Sequence, residues 1–295
     1  MIETFLRKIR LVAHDETLRT RVLFVFAALI LFRILATIPV PSIDTTQLQA
    51  FFSNSQFLGL LNIFSGGGLS NLSIVALGVG PYITASIVMQ LMTVLSPKLK
   101  QMYQEEGDAG RVRFMTYSRY LTVPLAFIQA FSILVLFRQQ GVIGSMDLMH
   151  TITSVFVLAA GSLLLMWLGE LITEFGVGNG VSLIIFSGIV ASLPASVAQL
   201  LYTFDISQLP MYLGFVAAAV LVIAAVVFIT EAERPIPVTY SRQVRGGKVL
   251  GGVSTYLPLR VNQAGVIPII FALSLLLFPQ MIANFLAASS ISWLA

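Results

Sequence analysis

One stretch of the chain constrains its fold more than any other: residues 59–95, with the sequence GLLNIFSGGGLSNLSIVALGVGPYITASIVMQLMTVL. Residues 58–64, at the start of this stretch, are apolar, but a helix of that length cannot cross about 30 Å of hydrocarbon. It ends in a polar, glycine-rich turn whose backbone groups cannot stay unpaired in lipid, made of Ser65, Gly66, Gly67 and Gly68. A full-length apolar run, residues 72–95, follows directly. Because broken helices at membrane depth line cavities, this stretch predicts a half-helix buried in protein and followed by a complete span.

The composition is that of a polytopic membrane protein. Charged residues make up 10% of the 295 positions and apolar residues 57%, whereas soluble domains contain about 25% charged residues. Beside the run already described, six apolar segments have the length of a membrane span: residues 22–40, 120–137, 152–172, 181–201, 209–229 and 261–285. The sequence therefore predicts an all-α fold with seven transmembrane helices.

The basic residues predict which side of the membrane each loop occupies. Of the 17 Lys and Arg residues, 15 lie in three segments, residues 1–21, 98–119 and 231–260. Only Arg138 falls on the opposite side, and Arg33 lies within a span. The positive-inside rule therefore places the N-terminus and both large loops in the cytoplasm. Residues 1–21 read as a basic amphipathic helix on an anionic membrane surface, with the first span acting as an uncleaved signal.

The sequence contains no recognisable catalytic set. Without cysteine it has neither disulfides nor thiol ligands, and its two histidines, His14 and His150, fall on opposite sides of the membrane in the predicted topology. The motifs HExxH, GxSxG and GxxxxGK[ST] are absent, and the glycines of residues 176–180 fit a tight turn between spans better than a dinucleotide-binding loop. We therefore expect a protein that is not an enzyme, binds no cofactor or metal, and draws on an external source of energy.

Several motifs resemble the SecY family, the large subunit of the bacterial protein-conducting channel. They are NIFSGGGLS, ALGVGPYITASIVMQL, EGDAGR, FGVGNGVSLIIF and VTYSRQVRGGKVLGGVSTYLPLRVNQAGVIP, and the likeness extends from about residue 22 to about residue 286. The resemblance implies a helical channel built from two inverted halves of five helices each. Residues 22–205 correspond to the first half, with a plug half-helix at about 58–70, and residues 206–295 to part of the second, with helices 6 and 7.

The resemblance also assigns residues to a pore. In that family a movable plug lies beneath a ring of apolar side chains, which seals the channel until a secretory chain arrives. The matching ring positions are Val79, Ile83, Val181, Ile185 and Ile270, and the plug includes Phe64, Ser65, Gly66, Gly67 and Gly68. A narrow apolar constriction excludes water and ions. Without the resemblance, apolar pairs at this spacing would indicate ordinary packing or contact with lipid.

The next implied feature is a lateral gate between the second and seventh transmembrane helices of the family. Channels of this family open sideways there and release membrane segments into lipid. Gln90 and Asn262 are the polar residues at matching places, and we expect them to hydrogen-bond across the closed gate. The alternative is that each makes a separate helix-packing contact.

The loop at residues 231–260 resembles the family's docking loop for the ribosome and for the motor ATPase SecA. Its basic residues are suited to acidic partners, and those assigned to docking are Arg234, Arg242, Arg245 and Lys248. The alternative is that they only reflect topology. Paired glycines and alternating residues in this loop predict a β-hairpin. The other implied partners are SecE, SecG, secretory and membrane-protein substrates and the lipids of the bacterial cytoplasmic membrane.

The sequence departs from the family in its number of spans, because the family has ten and only seven are predicted here. The missing part includes one ring position and the docking loop between helices 8 and 9. Three explanations stay open: a fragmentary sequence, a split protein or a naturally shortened homologue. Two other functions also stay open, a non-conducting scaffold or assembly subunit and a small-solute secondary transporter. A transporter would need ionisable residues near the membrane midplane, where the spans offer only Arg33.

Overall fold

A computed structural model describes ten parts of the chain: residues 14–40, 68–69, 72–139, 141, 143, 147–205, 208–239, 243–245, 248–250 and 254–262. These parts contain α1 (Glu16–Thr37), α2 (Gly80–Leu95), α3 (Pro97–Gln104), α4 (Gly107–Gln139), α5 (Leu148–Phe175), α6 (Gly180–Tyr202) and α7 (Leu209–Glu231). Four strands follow: β1 (Glu233–Thr239), β2 (Gln243–Arg245), β3 (Lys248–Leu250) and β4 (Ser254–Arg260).

Five of these helices, α1 and α4 to α7, are long and apolar enough to cross a membrane. They confirm the predicted spans one, three, four, five and six as continuous helices. Nearly all of the predicted seventh span, residues 261–285, lies outside the described residues, as do residues 1–13 of the predicted amphipathic N-terminus.

The first helix has well-defined ends. The carboxylate of Asp15 accepts hydrogen bonds from the backbone N–H groups of Thr17 and Leu18, at 3.0 and 3.4 Å, and from the Thr17 hydroxyl. The Thr17 hydroxyl is the main reason that the pKa of Asp15 lies below its ordinary value, and the two N–H groups lower it further. Helix α1 ends at Thr37, and the next residue, Ile38, is extended because Pro39 follows it.

The prediction that residues 72–95 form one continuous span was wrong. Residues 72–79, here called the connector, form successive turns, and α2 begins only at Gly80 and contains 16 residues. Pro81 has no N–H group and therefore fits only the first turn of a helix. Gly78 precedes it with a φ of 58°, a conformation that glycine adopts without strain.

Most of the predicted soluble loop at residues 98–119 is helical. Helix α3 occupies its first part, and α4 begins at Gly107, well before the apolar run at residue 120. The ring of Tyr103 packs against that of Phe114 with centroids 4.8 Å apart, and a Cβ atom on Gly110 would lie 2.1 Å from the carbonyl oxygen of Met102. These contacts hold α3 against the start of α4.

The chain divides into two compact units, and the first comprises residues 1–198 together with 273–295. Its described core consists of two apolar clusters. The outer cluster joins the connector to α4 and α5 through residues that include Leu72, Leu77, Leu134, Phe137 and Leu158. The inner cluster joins the connector to α1, α5 and α6, and its buried members are Ala28, Phe32, Ala36, Val75, Val79, Leu165, Leu168, Ile172 and Ile184. The connector thus contributes to both clusters.

The predicted tight turn at residues 176–180 is confirmed. Helix α5 ends at Phe175 and α6 starts at Gly180, whose backbone N–H group donates to the hydroxyl oxygen of Thr173 at 2.9 Å. A Cβ atom on Gly180 would lie 2.0 Å from the carbonyl oxygen of Gly169, so the two helices approach closely only because this position lacks a side chain.

The second unit, residues 199–272, contains α7 and the strands. Strands β1 and β4 pair antiparallel from Glu233 opposite Arg260 to Thr239 opposite Ser254, and β2 and β3 pair in the same sense. The predicted β-hairpin is therefore confirmed. No residue of α7 is buried within the described part of the chain, as is typical of a helix that faces lipid or other helices.

Candidate functional site

Four of the five predicted ring residues pack around the inner cluster. Val79 is the last residue of the connector and is only 2% exposed. Ile83, Val181 and Ile185 are partly buried and pack against the same cluster. The fifth residue, Ile270, lies outside the described residues. Side chains from the start of α2 and the start of α6 are thus brought together at one apolar centre, although about 100 residues separate them along the chain.

The position of Val79 is set by the hydrogen bonds of the connector. The N–H group of Ile74 donates to the carbonyl of Ile38 at 2.9 Å, and the N–H group of Val40 donates to the carbonyl of Leu72 at 2.8 Å. This short antiparallel pairing attaches the connector to the chain that follows α1. Within the connector, Gly78 N–H donates to the Val75 carbonyl at 2.8 Å. A non-helical segment at membrane depth requires such partners, because lipid offers none.

The start of α6 is fixed just as closely. The side-chain oxygen of Asn179 accepts from the N–H group of Ser182 at 3.0 Å, which satisfies one of the free donors of the helix terminus. A Cβ atom on Gly169 would lie 3.0 Å from a methyl carbon of Val181, so α5 approaches the first turn of α6 closely. These contacts determine where Val181 and Ile185 lie in the inner cluster.

A buried polar pair lies next to the ring positions. The side-chain amide of Gln129 in α4 donates to the hydroxyl of Thr84 in α2 at 3.3 Å, and both residues are buried. Sequence reasoning did not single out either residue. The available signal was a glutamine in the middle of an otherwise apolar span, because such a residue needs a hydrogen-bonding partner.

The residues assigned to the lateral gate lie in separate units. Gln90 belongs to the first unit and is exposed near the end of α2, whereas Asn262 belongs to the second unit and is partly buried just after β4. A hydrogen bond between them stays a prediction.

An ion pair that the sequence reading missed joins two of the spanning helices. Arg119 Nε in α4 donates to Glu170 Oε1 in α5 at 2.5 Å, and both side chains are partly exposed. The two residues are 51 positions apart, so no local pattern indicates the pair.

Three of the predicted docking residues lie in the strands of the second unit. Arg234 is an exposed residue of β1, and the backbone of Arg245 in β2 lies opposite that of Lys248 in β3. Arg242 lies outside the described residues.

Of the five residues assigned to the plug, only Gly68 is described. It is buried, and its carbonyl accepts from the N–H group of Ser73 at 2.8 Å. Phe64, Ser65, Gly66 and Gly67 lie outside the described residues. Within the described residues, no group of three or more His, Asp or Glu side chains is placed to hold a metal ion.

Comparison with known proteins identifies the architecture. The sequence profile of the SecY family matches residues 73–295. The chain belongs to the SecY family. Among curated SecY-family relatives, it is 45% identical to the protein translocase subunit SecY of Pseudomonas aeruginosa over 279 residues, which cover 93% of this chain and 63% of the relative. It is 39% identical to the SecY of Mycobacterium tuberculosis in an alignment 304 residues long, which covers 98% of this chain and 67% of the relative.

Solved structures agree with a SecY-like fold. A protein-conducting channel superposes with a TM-score of 0.64 at 21% identity, covering 91% of this chain and 59% of the other. A SecY protein whose plug domain is described as stabilising the closed state gives the same TM-score and identity. The expected SecY-like, multi-pass helical membrane fold is therefore confirmed. The chain spans about 63% of the length of the Pseudomonas SecY.

Proposed function

We propose that this chain is the pore-forming subunit of a Sec translocon, which passes unfolded secretory proteins across the membrane and releases membrane segments sideways into lipid. The observation that carries the proposal is the convergence of Val79, Ile83, Val181 and Ile185 on the inner cluster. The SecY relatives are named protein translocase subunits, and this supports the same activity here.

The chemistry required of such a site is exclusion of water and not bond making. Valine and isoleucine side chains around a narrow passage leave no polar partner for a hydrated ion, so the passage dewets and does not conduct. The same side chains adapt to a passing polypeptide because apolar contacts have no directional requirement. In this mechanism Ile270 is the fifth ring residue that this chain supplies, and Phe64, Ser65, Gly66, Gly67 and Gly68 form part of a plug that stabilises the closed state.

Release into lipid requires that the channel also open sideways. We assign this step to the faces that carry Gln90 and Asn262, which in the closed channel hydrogen-bond to each other. Loss of that bond would lower the cost of opening, so replacing either residue with leucine would shift the balance towards the open gate.

The translocon needs partners, because a sealed pore supplies no energy. The hairpin of β1 to β4 is the proposed docking site for SecA and for translating ribosomes, with Arg234, Arg242, Arg245 and Lys248 as its basic contacts. SecE and SecG complete the assembly in the bacterial cytoplasmic membrane, with the N-terminus of this chain in the cytoplasm. The chain itself acts as a channel and not as an enzyme.

Site-specific photocrosslinking to a stalled secretory chain tests the proposal. A photoreactive residue at Ile83 or Ile185 should crosslink to the translocating chain, because both positions are assigned to the ring. The matched control is Phe186, the neighbour of Ile185 on α6, whose side chain is 60% exposed. A second control is Phe215 in α7, at 69% exposure. Neither control position should crosslink to a stalled secretory chain that has no apolar segments.

The experiment is run with this chain alone and with a separately supplied chain that carries helices 8 to 10 of a SecY relative. Crosslinks at the two ring positions and not at the controls would support a protein path lined by the ring. If a properly inserted chain gives no crosslink in either preparation, the channel proposal is wrong, and a scaffold or assembly role replaces it.

A further inference from the structure

The connector has a partner that no sequence motif indicated. The hydroxyl of Ser162, in the middle of α5, donates to the carbonyl oxygen of Gly78 at 3.0 Å. The Ser162 side chain is fully buried, and the two residues are 84 positions apart. Gly78 immediately precedes Val79, the first of the proposed ring residues.

This use of a helical serine is unusual within α5. Serine and threonine hydroxyls in helices commonly bond to a carbonyl of the preceding turn. Three threonines of α5 do so: Thr151, Thr153 and Thr173 donate to the carbonyls of Asp147, Met149 and Gly169. The Ser162 hydroxyl instead donates to a different segment, so its hydrogen bond adds nothing to α5 itself and acts only on the connector.

The residue before it, Gly161, is required by the same contact. A Cβ atom at this position would lie 1.8 Å from the carbonyl oxygen of Ile74 and 2.7 Å from the carbonyl carbon. Both are backbone atoms of the connector, which cannot move aside as a flexible side chain can. Alanine at position 161 would therefore displace the connector from α5.

The connector is consequently held on two sides. Its first half pairs with the chain after α1 through the bonds of Leu72 and Ile74, and its second half lies against α5 through Ser162. The residue that follows this second attachment is Val79, and the N–H group of Ile83 donates to the Val79 carbonyl at 3.0 Å. The attachment to α5 thus determines where α2 starts.

We infer that Ser162 and Gly161 are positioning residues for the pore constriction: they fix the connector against α5 and thereby hold Val79 and Ile83 at the ring. The inference rests on the proposed function only in treating Val79 and Ile83 as parts of a pore ring.

Hydrogen–deuterium exchange on the full chain in detergent micelles tests the attachment without reference to transport. The Ser162→Ala variant should raise exchange at residues 74–83 roughly fivefold, as expected for the loss of one hydrogen bond worth about 1 kcal/mol. Exchange in α4 and α5 should not change. The matched control is Thr153→Ala, which removes a hydroxyl from the same helix whose bond stays within that helix. It should leave residues 74–83 unchanged.

Photocrosslinking then separates positioning from general destabilisation. When helices 8 to 10 are supplied separately, Ser162→Ala should lower the crosslinking yield at Ile83 relative to Ile185. The start of α6 is attached to α5 through Thr173 and Gly169, and this attachment does not involve the bond to Gly78. An equal fall at both positions, or exchange at residues 74–83 that does not differ between Ser162→Ala and Thr153→Ala, would overturn the inference. If exchange changes as expected but no position crosslinks in the unmodified chain, the attachment stands and the channel proposal fails.

Discussion

Two fully buried serines show how one hydroxyl can have opposite effects in the same core. Both Ser73 and Ser162 have no exposed surface. The hydroxyl of Ser162 donates to Gly78, whereas the hydroxyl of Ser73 has no hydrogen-bonding partner within the described part of the chain. A buried polar atom without a partner costs about 1–3 kcal/mol, because it loses its bonds to water and gains none. The connector is therefore stabilised at one end and destabilised at the other.

Replacing these serines with alanine should have effects of opposite sign. We expect Ser73→Ala to raise the free energy of unfolding by up to about 1 kcal/mol, because it removes an unpaired polar atom. We expect Ser162→Ala to lower it by about 1–2 kcal/mol, because it leaves the Gly78 carbonyl unpaired. Titration of mixed micelles with dodecyl sulfate, followed by circular dichroism, measures both. Equal destabilisation by the two variants would contradict the assignment of partners.

At the scale of the helices, what could be predicted from sequence is what depends on local composition. The runs at residues 120–137, 152–172, 181–201 and 209–229 are long and apolar, and each lies within a single observed helix. Length and hydropathy are properties of the run itself, so they predict such spans without knowledge of the neighbours. The hairpin was predictable for a similar reason, since glycines and alternating residues specify it locally.

The structures that composition did not predict depend on tertiary contacts. Residues 72–95 are apolar throughout, so hydropathy could not distinguish a connector that pairs with Ile38 and Val40 from the first turns of a helix. The polar composition of residues 98–119 predicted a loop. That composition reflects the exposed face, with ion pairs such as Arg113 with Glu106, and not the packing of Tyr103 on Phe114.

The candidate site divides in the same way. Sequence periodicity alone did not distinguish Val79 and Ile83 from ordinary packing residues, and only the resemblance to the SecY family selected them. The bonds from Gln129 to Thr84 and from Ser162 to Gly78 join residues 45 and 84 positions apart, and neither was predicted. Pairings over such distances are set by tertiary packing and leave no local pattern in the sequence.

One interhelical contact gives a prediction at this scale, the ion pair between Arg119 in α4 and Glu170 in α5. Both side chains are partly exposed, so solvent weakens their attraction and we expect a coupling energy of about 0.5–1 kcal/mol. Glu170→Gln and Arg119→Gln should each destabilise the chain, and the double variant should cost less than the sum of the two. A double-mutant cycle by the same micelle titration measures the coupling. Additive effects would mean that the pair contributes nothing to the packing of α4 on α5.

At the scale of the whole molecule, the packing of α4 on α5 is consistent with the topology that the charge pattern predicts. The pair between Arg119 and Glu170 places a residue from the first half of α4 beside one from the last two turns of α5, as expected for antiparallel neighbours. The charge count independently predicts that residues 98–119 lie in the cytoplasm, and on that prediction Glu170 lies towards the same side. The proposed function requires this sidedness, because the proposed docking hairpin must face the compartment in which secretory chains are made.

The absence of cysteine from the sequence makes this topology directly testable. Lys100→Cys and Tyr256→Cys report on the two predicted cytoplasmic loops, and Leu148→Cys, at a residue that is 74% exposed, reports on the start of α5. In spheroplasts, a membrane-impermeant maleimide should label only the Leu148→Cys variant, whereas the Lys100→Cys and Tyr256→Cys variants should react only in inverted vesicles. The unmodified chain gives the background. Labelling of Lys100→Cys and Leu148→Cys from the same side would mean that α4 does not cross the membrane. The ring residues of α2 and α6 could then not line one transmembrane passage, because the chain between them would cross the membrane one time too few.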